Sequence, residues 1–268
     1  MLRQFKPVTA ATFEVGPRHV GYAQWTVDTR LPFIIDIDNV EVSVWARGGL
    51  MAKAARPREV VYSALKQRIV LNEISPGEPL TELGLARDLG CSQGTVREAL
   101  LRLQEDGLVV RSGHRGTSVT PLDPAAAEEV LDLRKRLETR GALRAVAAYG
   151  SDARARLVVL RDGMARAARC NDEYALIELD MQFHAAIFGL ASPPVLEQIL
   201  IRCMLHSHRQ KLWAPGHRRS LARTAERHDV LIAALDAGDG ARLAKEIANH
   251  LDTIVEIEAP RARKRRAA

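Results

Sequence analysis

Apolar positions recur every three or four residues along most of the chain, the spacing of amphipathic helices. In 58–73, REVVYSALKQRIVLNE places Val60, Val61, Ala64, Leu65, Arg68 and Ile69 at that spacing, and Pro76 and Gly77 end the helix. Thr81 is placed to cap a short second helix over 83–89, Gly90 stops it, Cys91 fills a turn, and Ser92 can cap a third. That third helix, QGTVREALLRLQEDG, turns Val96, Ala99, Leu100 and Leu103 to one side. The stretch that follows, LVVRSGHRGTSVTP, is apolar and β-branched at its ends and glycine-rich in the middle. It predicts a two-stranded hairpin with its tip at 113–116. Three helices with a tight second-to-third turn, followed by a hairpin, predict a winged helix-turn-helix over 57–122.

From 123 onward the pattern is helical almost throughout. Asp123 and Pro124 open a long helix that Gly150 closes. Further helices are predicted over about 152–169, from a cap at Asn171 to 190, over 193–213, over 220–237, and from Asp239 to 258. Six helices of this length predict a helical bundle over 123–258, able to enclose a pocket. The fold class is therefore mainly α: an N-terminal winged helix-turn-helix and a C-terminal helical bundle. Residues 1–56 read differently. Only LPFIIDIDNVEVSVW alternates like a strand, and GGLMAKAARPRE reads as a linker. Met51 reads as a natural chain start, so 1–50 are expected to be an extension, and 259–268 form a basic tail.

Composition narrows the class. The 268 residues are 47% hydrophobic and 27% charged, a globular balance, and the 4% aromatic content favours helices over a β-sandwich. No apolar run approaches the roughly 18–20 residues of a membrane span, and no secretory leader is visible. A soluble, cytoplasmic protein with no membrane partner is expected. The three cysteines, Cys91, Cys170 and Cys203, are far apart, which excludes a disulfide framework and a thiolate zinc finger. Of the net charge of +6, five units come from the last eight residues, RARKRRAA. Residues 51–122 add +2, compatible with a polyanionic partner.

A winged helix puts the N-terminal end of its third helix into the major groove, with the wing against the backbone or minor groove. That end carries Ser92, Gln93, Thr95 and Arg97. Ser92 and Thr95 suit phosphates, Gln93 suits an adenine edge, and Arg97 can fork onto guanine or clamp a phosphate. His114 and Arg115 at the wing supply donors. The alternative for Arg97 is an ion pair on a solvated helix face. For Arg87 and Arg102 surface solvation weighs equally.

Within the bundle four groups share inward stripes. Asp180 and His184 are one turn apart in Ile177, Asp180, His184, Ile187; His250 lies in Leu243, Ile247, His250, Ile254; His228 precedes Leu231 and Ile232 by a turn. Each histidine alone reads best as a hydrogen-bonded structural residue. Together, one carboxylate and three imidazoles suit a divalent ion: zinc, nickel, iron, cobalt or manganese. His206 and His208, two apart, cannot share a helix face and read as surface or pocket-lining. A hydrolase that activates water at such a site is the main rival function, but no separate carboxylate is placed as general base. A sensor of the metal itself is a third reading.

These residues carry a resemblance. Residues 57–258 resemble the GntR family of bacterial transcription regulators, in the FadR-type subfamily with an FCD ligand domain and its six-helix branch. SQGTVREALLRLQEDGLV looks like the recognition helix and entry to the wing; LRKRLE, DMQFH and the segment from His228 to the NHL at 249–251 look like ligand-domain motifs. The resemblance implies a homodimer on a double-stranded DNA operator, repression released by a small organic acid, and Asp180, His184, His228 and His250 as metal ligands. It also implies that Arg134 binds the effector, a residue whose stripe (Val130, Arg134, Leu137, Gly141, Ala145) independently points inward. Many relatives carry an Arg-Thr-Pro step where this chain has Gln93, Gly94 and Thr95, so their operator preference does not transfer.

Overall fold

The computed structural model describes residues 57–113, 116–213 and 220–252; the extension, His114, Arg115 and the basic tail lie outside them. The first part begins with α1 (Pro57–Val70), then β1 (Pro79–Leu80), α2 (Glu82–Leu89) and α3 (Gln93–Glu105), and ends in β2 (Val109–Ser112) and β3 (Gly116–Val119). The Thr81 side chain caps α2 by accepting from the Gly84 N–H at 3.2 Å. Gly90 ends α2 in the left-handed region (φ 63), a backbone conformation that glycine adopts without a Cβ penalty. Ser92 then caps α3. Leu65, Ile69, Val96, Ala99, Leu103, Leu108 and Val119 make one buried core beneath these elements.

The hairpin pairs Val109 with Val119 and Ser112 with Gly116. A third strand, absent from the sequence reading, completes the sheet in the order β1-β3-β2, with Leu80 opposite Thr117. Its two residues are too few to alternate visibly. The winged helix-turn-helix is otherwise as read.

The second part is helical: α4 (Pro124–Ala148), α5 (Ser151–Arg169), α6 (Glu173–Gly189), α7 (Pro194–Trp213), α8 (Leu221–Glu226), α9 (Asp229–Asp236) and α10 (Gly240–Asp252). Leu157, Leu160, Met164, Phe183, Leu231, Leu235, Leu243 and Ile247 fill its interior. Two local expectations change. Asp172, not Asn171, caps α6, accepting from the Ala175 N–H at 2.9 Å, while Asn171 takes a left-handed turn (φ 55). The helix read over 220–237 is two, α8 and α9, parted at Arg227 and His228. Ile177, Met181, Leu200 and Leu205 from α6 and α7 join the winged-helix core, so the two parts share one apolar seam. No helix among the described residues is long and apolar enough to cross a membrane.

Candidate functional site

Helix α6 carries Asp180 and His184 on the face that packs into the bundle, both 1% exposed or less. The break between α8 and α9 delivers His228, and the last turn of α10 delivers His250; each is buried. One donor atom from each of the four residues falls within 4.8 Å of the others. Asp180 Oδ1 stands 3.3 Å from His228 Nε2 and 3.9 Å from His250 Nε2. The Phe183 ring meets His228 edge-on at 4.8 Å and closes one side. The four residues singled out from the sequence are thus brought together.

Neighbouring groups fix which ring nitrogens face inward. His228 Nδ1 lies 2.9 Å from the Thr224 carbonyl, which can only accept, so the proton sits on Nδ1 and Nε2 keeps its lone pair. His184 Nδ1 lies 2.5 Å from Glu138 Oε2. The carboxylate accepts a hydrogen bond from the Nδ1–H, and His184 Nε2 is buried with no hydrogen-bond partner among the described residues. Burial, then repulsion from His228 and His184, pushes the pKa of His250 well below its usual value, which favours a neutral ring. Burial opposes ionisation of Asp180, but the hydrogen bond from His208 and the imidazoles around the carboxylate outweigh it and hold its carboxyl well below the usual range. Three imidazoles, two of them oriented by neighbouring acceptors, and one carboxylate are a donor set that fits a divalent ion.

Two residues missed in the sequence belong to this cluster. Glu138, 3% exposed, accepts from Arg134 Nε at 2.6 Å as well as from His184. Burial opposes its charge, but His184 and Arg134 prevail and bring its carboxyl down to about 2. Its signal was available: it lies one turn after Arg134, on the inward side of α4. His208 places Nε2 3.1 Å from Asp180 Oδ2 and is 1% exposed, so of the two roles expected for it, surface or pocket-lining, it is not on the surface. The pairwise argument against His206 and His208 overlooked that one of them alone can face inward, in line with Ile201, Met204 and Leu205. Arg134 is fully buried as expected; beyond Glu138, its Nη1 and Nη2 have no partner among the described residues.

The entry of α3 differs from expectation in detail. Ser92 Oγ accepts from the Thr95 N–H at 3.1 Å and shares a hydrogen bond with Thr95 Oγ1 at 2.9 Å. Both hydroxyls, expected to face phosphates, are engaged in capping. Gln93 is exposed. Arg97, also exposed, forks onto Glu82 of α2, Nε to Oε1 at 3.0 Å and Nη2 to Oε2 at 2.7 Å. The ion-pair alternative is therefore the arrangement the structure shows for Arg97. Arg87 is exposed, and Arg102 stacks on Tyr62 with its guanidinium carbon 3.9 Å from the ring centre.

Comparisons with known proteins agree with this architecture. Residues 57–119 match the profile of bacterial regulatory proteins of the gntR family, and residues 129–253 match the FCD domain. An uncharacterised HTH-type transcriptional regulator from the TAR-I ttuE-ttuC' intergenic region of Agrobacterium vitis is 35% identical over 135 residues, 49% of this chain and 78% of its own. One from an unstable DNA locus of Streptomyces ambofaciens is 29% identical over 209 residues, 76% of this chain and 86% of its own. The solved structure of McbR/YncC from E. coli shares the fold, with a TM-score of 0.62 at 24% identity over 74% of this chain and 95% of that one. With two profiles in the right order and a regulator as relative, the hydrolase reading falls away: the chain belongs to the GntR family of bacterial regulatory proteins, in its FCD-domain branch, a family of DNA-binding transcription regulators and not of enzymes.

Proposed function

We propose that the chain is a homodimeric repressor whose hold on a pseudo-palindromic operator is set by a metal-anchored small carboxylate in its helical part. The division of labour follows the sequence: 57–122 reads DNA, and 123–258 binds the effector and the second subunit. The observation that carries the reading is the buried Asp180, His184, His228 and His250 cluster, with its donor atoms within 4.8 Å. A buried carboxylate among neutral rings is costly, and a bound cation offsets that cost. Zinc suits one oxygen and three imidazole nitrogens best; nickel, iron, cobalt and manganese suit the same donors. Bound there, the ion supplies a Lewis-acid anchor for a carboxylate oxygen.

The chain's own residues do the rest. Glu138 holds His184 with its Nε2 lone pair inward, and Thr224 does the same for His228. Arg134 has two buried nitrogens to offer a second carboxylate oxygen, and the bidentate match of guanidinium to carboxylate supports an organic acid as effector. An acid that binds one placement of the two winged helices better than the other shifts operator affinity by that difference. At the operator, Arg97 exchanges Glu82 for a base edge or phosphate, beside Gln93, while Ser92 and Thr95 hold the helix entry that presents them; His114 and Arg115 meet the backbone from the wing. Such a regulator works in the cytoplasm, where its DNA is.

Elemental analysis of protein purified without a metal-affinity tag should find about one ion per chain. His228→Ala and His250→Ala should lose the ion and the response to organic acids, yet keep apo binding to the native upstream DNA. Wild type that takes up no zinc, nickel or manganese would refute the centre.

A further inference from the structure

Helix α7 touches the metal cluster and the base of the wing through adjacent residues. His208 Nε2 lies 3.1 Å from Asp180 Oδ2 on the bundle side. The next residue, Arg209, donates from Nη2 to the Thr120 carbonyl at 3.1 Å, just past the end of β3. Its own carbonyl accepts from Asn72 Nδ2, just past the end of α1, at 3.4 Å. One turn earlier, His206 rests on Gly107, whose Cβ, were there one, would lie 3.0 Å from the ring's Nε2. His206 and Arg209 are three apart and share a face; His208 lies between them on another. Gly107 and Thr120 are themselves clipped together, Thr120 Oγ1 donating to the Gly107 carbonyl at 2.6 Å. The two contacts of α7 therefore fall on both ends of one hairpin.

Arg209 is an unusual residue to find there. It is fully buried, Nε and Nη1 have no partner among the described residues, and burial pulls its guanidinium down to about 10. A buried cation held by one carbonyl is a weak way to fix a seam and a sensitive way to couple two parts. We infer that α7 relays occupancy of the metal centre to the wing, His208 sensing the state of Asp180 and Arg209 applying the resulting shift at the base of the hairpin. A helix is stiff over one residue, so whatever displaces His208 displaces Arg209 with it. Asp180 offers Oδ1 towards His228 and His250 while Oδ2 is held by His208, so a change at the first oxygen is felt through the second. This inference rests on the metal-regulated reading above.

The test is linkage, with zinc alone as the probe. Operator affinity of the full chain is measured with zinc and with chelator, and zinc affinity with and without operator. In wild type the two ratios should agree, at about 5- to 150-fold. Arg209→Met removes the buried charge at similar volume, so folding should be kept. Its two ratios should fall to within about twofold of one, with zinc affinity of the free protein unchanged; the zinc-linked response, not binding itself, is what is lost. Asn72→Gly tests the second tether without disturbing the left-handed turn at that residue (φ 57), and its ratio should fall between wild type and Arg209→Met. Variants as strongly linked as wild type would overturn the relay and leave the centre standing, as would wild type that binds zinc with no effect on operator affinity. Wild type that binds no zinc overturns both.

Discussion

Glu138 ties the helical core to the proposed centre, and replacing it with Gln separates two effects. The carboxylate offers one oxygen to Arg134 Nε at 2.6 Å and the other to His184 Nδ1 at 2.5 Å, with all three groups buried. A glutamine has one acceptor and one donor end, so it can accept from only one of the two. If its oxygen stays with Arg134, its amide N–H faces His184 Nδ1, which must then carry a lone pair. The ring proton moves to Nε2, and the nitrogen meant for the ion becomes a donor. If the oxygen goes to His184 instead, Arg134 is left a buried cation without a counter-charge. Breaking a buried ion pair from one side costs about 3–5 kcal/mol, and removing a group that orients a ligand histidine costs roughly 10–100-fold in metal affinity. Glu138→Gln should therefore melt roughly 6–20 °C below wild type in the metal-free state, from about 2–4 °C per kcal/mol at this size. Competition titration with a chromophoric chelator reads the loss of zinc affinity. Glu138→Gln combined with Arg134→Met should regain most of the melting temperature, because the stranded charge is gone, but not the zinc affinity. A single variant that melts with wild type and binds zinc equally well would refute the assigned role of Glu138.

Three other outcomes follow from the geometry. Arg97→Ala should weaken binding to the native upstream DNA by roughly five- to a hundredfold, and Glu82→Gln, which releases Arg97, should strengthen it; titration at one fixed salt concentration decides, and shifts in the same direction would break the assignment. His206 has its pKa lowered by burial, then by Arg209 and Arg202, so the fold resists its protonation. Its contribution is complete above the unfolded value near 6.5 and is lost as pH falls towards the lower folded value. Denaturant midpoints of wild type should drop more than those of His206→Gln between pH 7.5 and pH 5, and parallel curves would contradict this. At Gly141, where α4 crosses α6, a Cβ would overlap the ring of Phe188. Gly141→Ala should cost about 1–3 kcal/mol by overpacking, read as a lower melting temperature.

How far the sequence carried depended on how local each feature is. The winged helix was legible because each of its elements ends in a residue whose chemistry marks the end: Thr81 and Ser92 as caps, Gly90 in a left-handed turn. The four residues of the buried cluster were legible because each continues an apolar stripe, so a polar side chain there had to be inside. The same logic could have found His208 and Glu138, had each been weighed against its own helix face. Helical periodicity passed over the break at His228, because Leu231, Ala234 and Leu235 keep the apolar spacing of 220–237 going beyond it. Least legible were the charged contacts between elements. Arg97 meets Glu82 only because α2 and α3 cross, and Arg209 meets Thr120 only because α7 lies on the wing. A hydrophobicity pattern places Lys, Arg, Asp and Glu outside by default and says nothing of a partner on another element, 15 residues away for Arg97 and 89 for Arg209. In this chain those pairings sit at the junctions where the regulator is proposed to act, so periodicity located the buried cluster and the fold had to supply the contacts between elements.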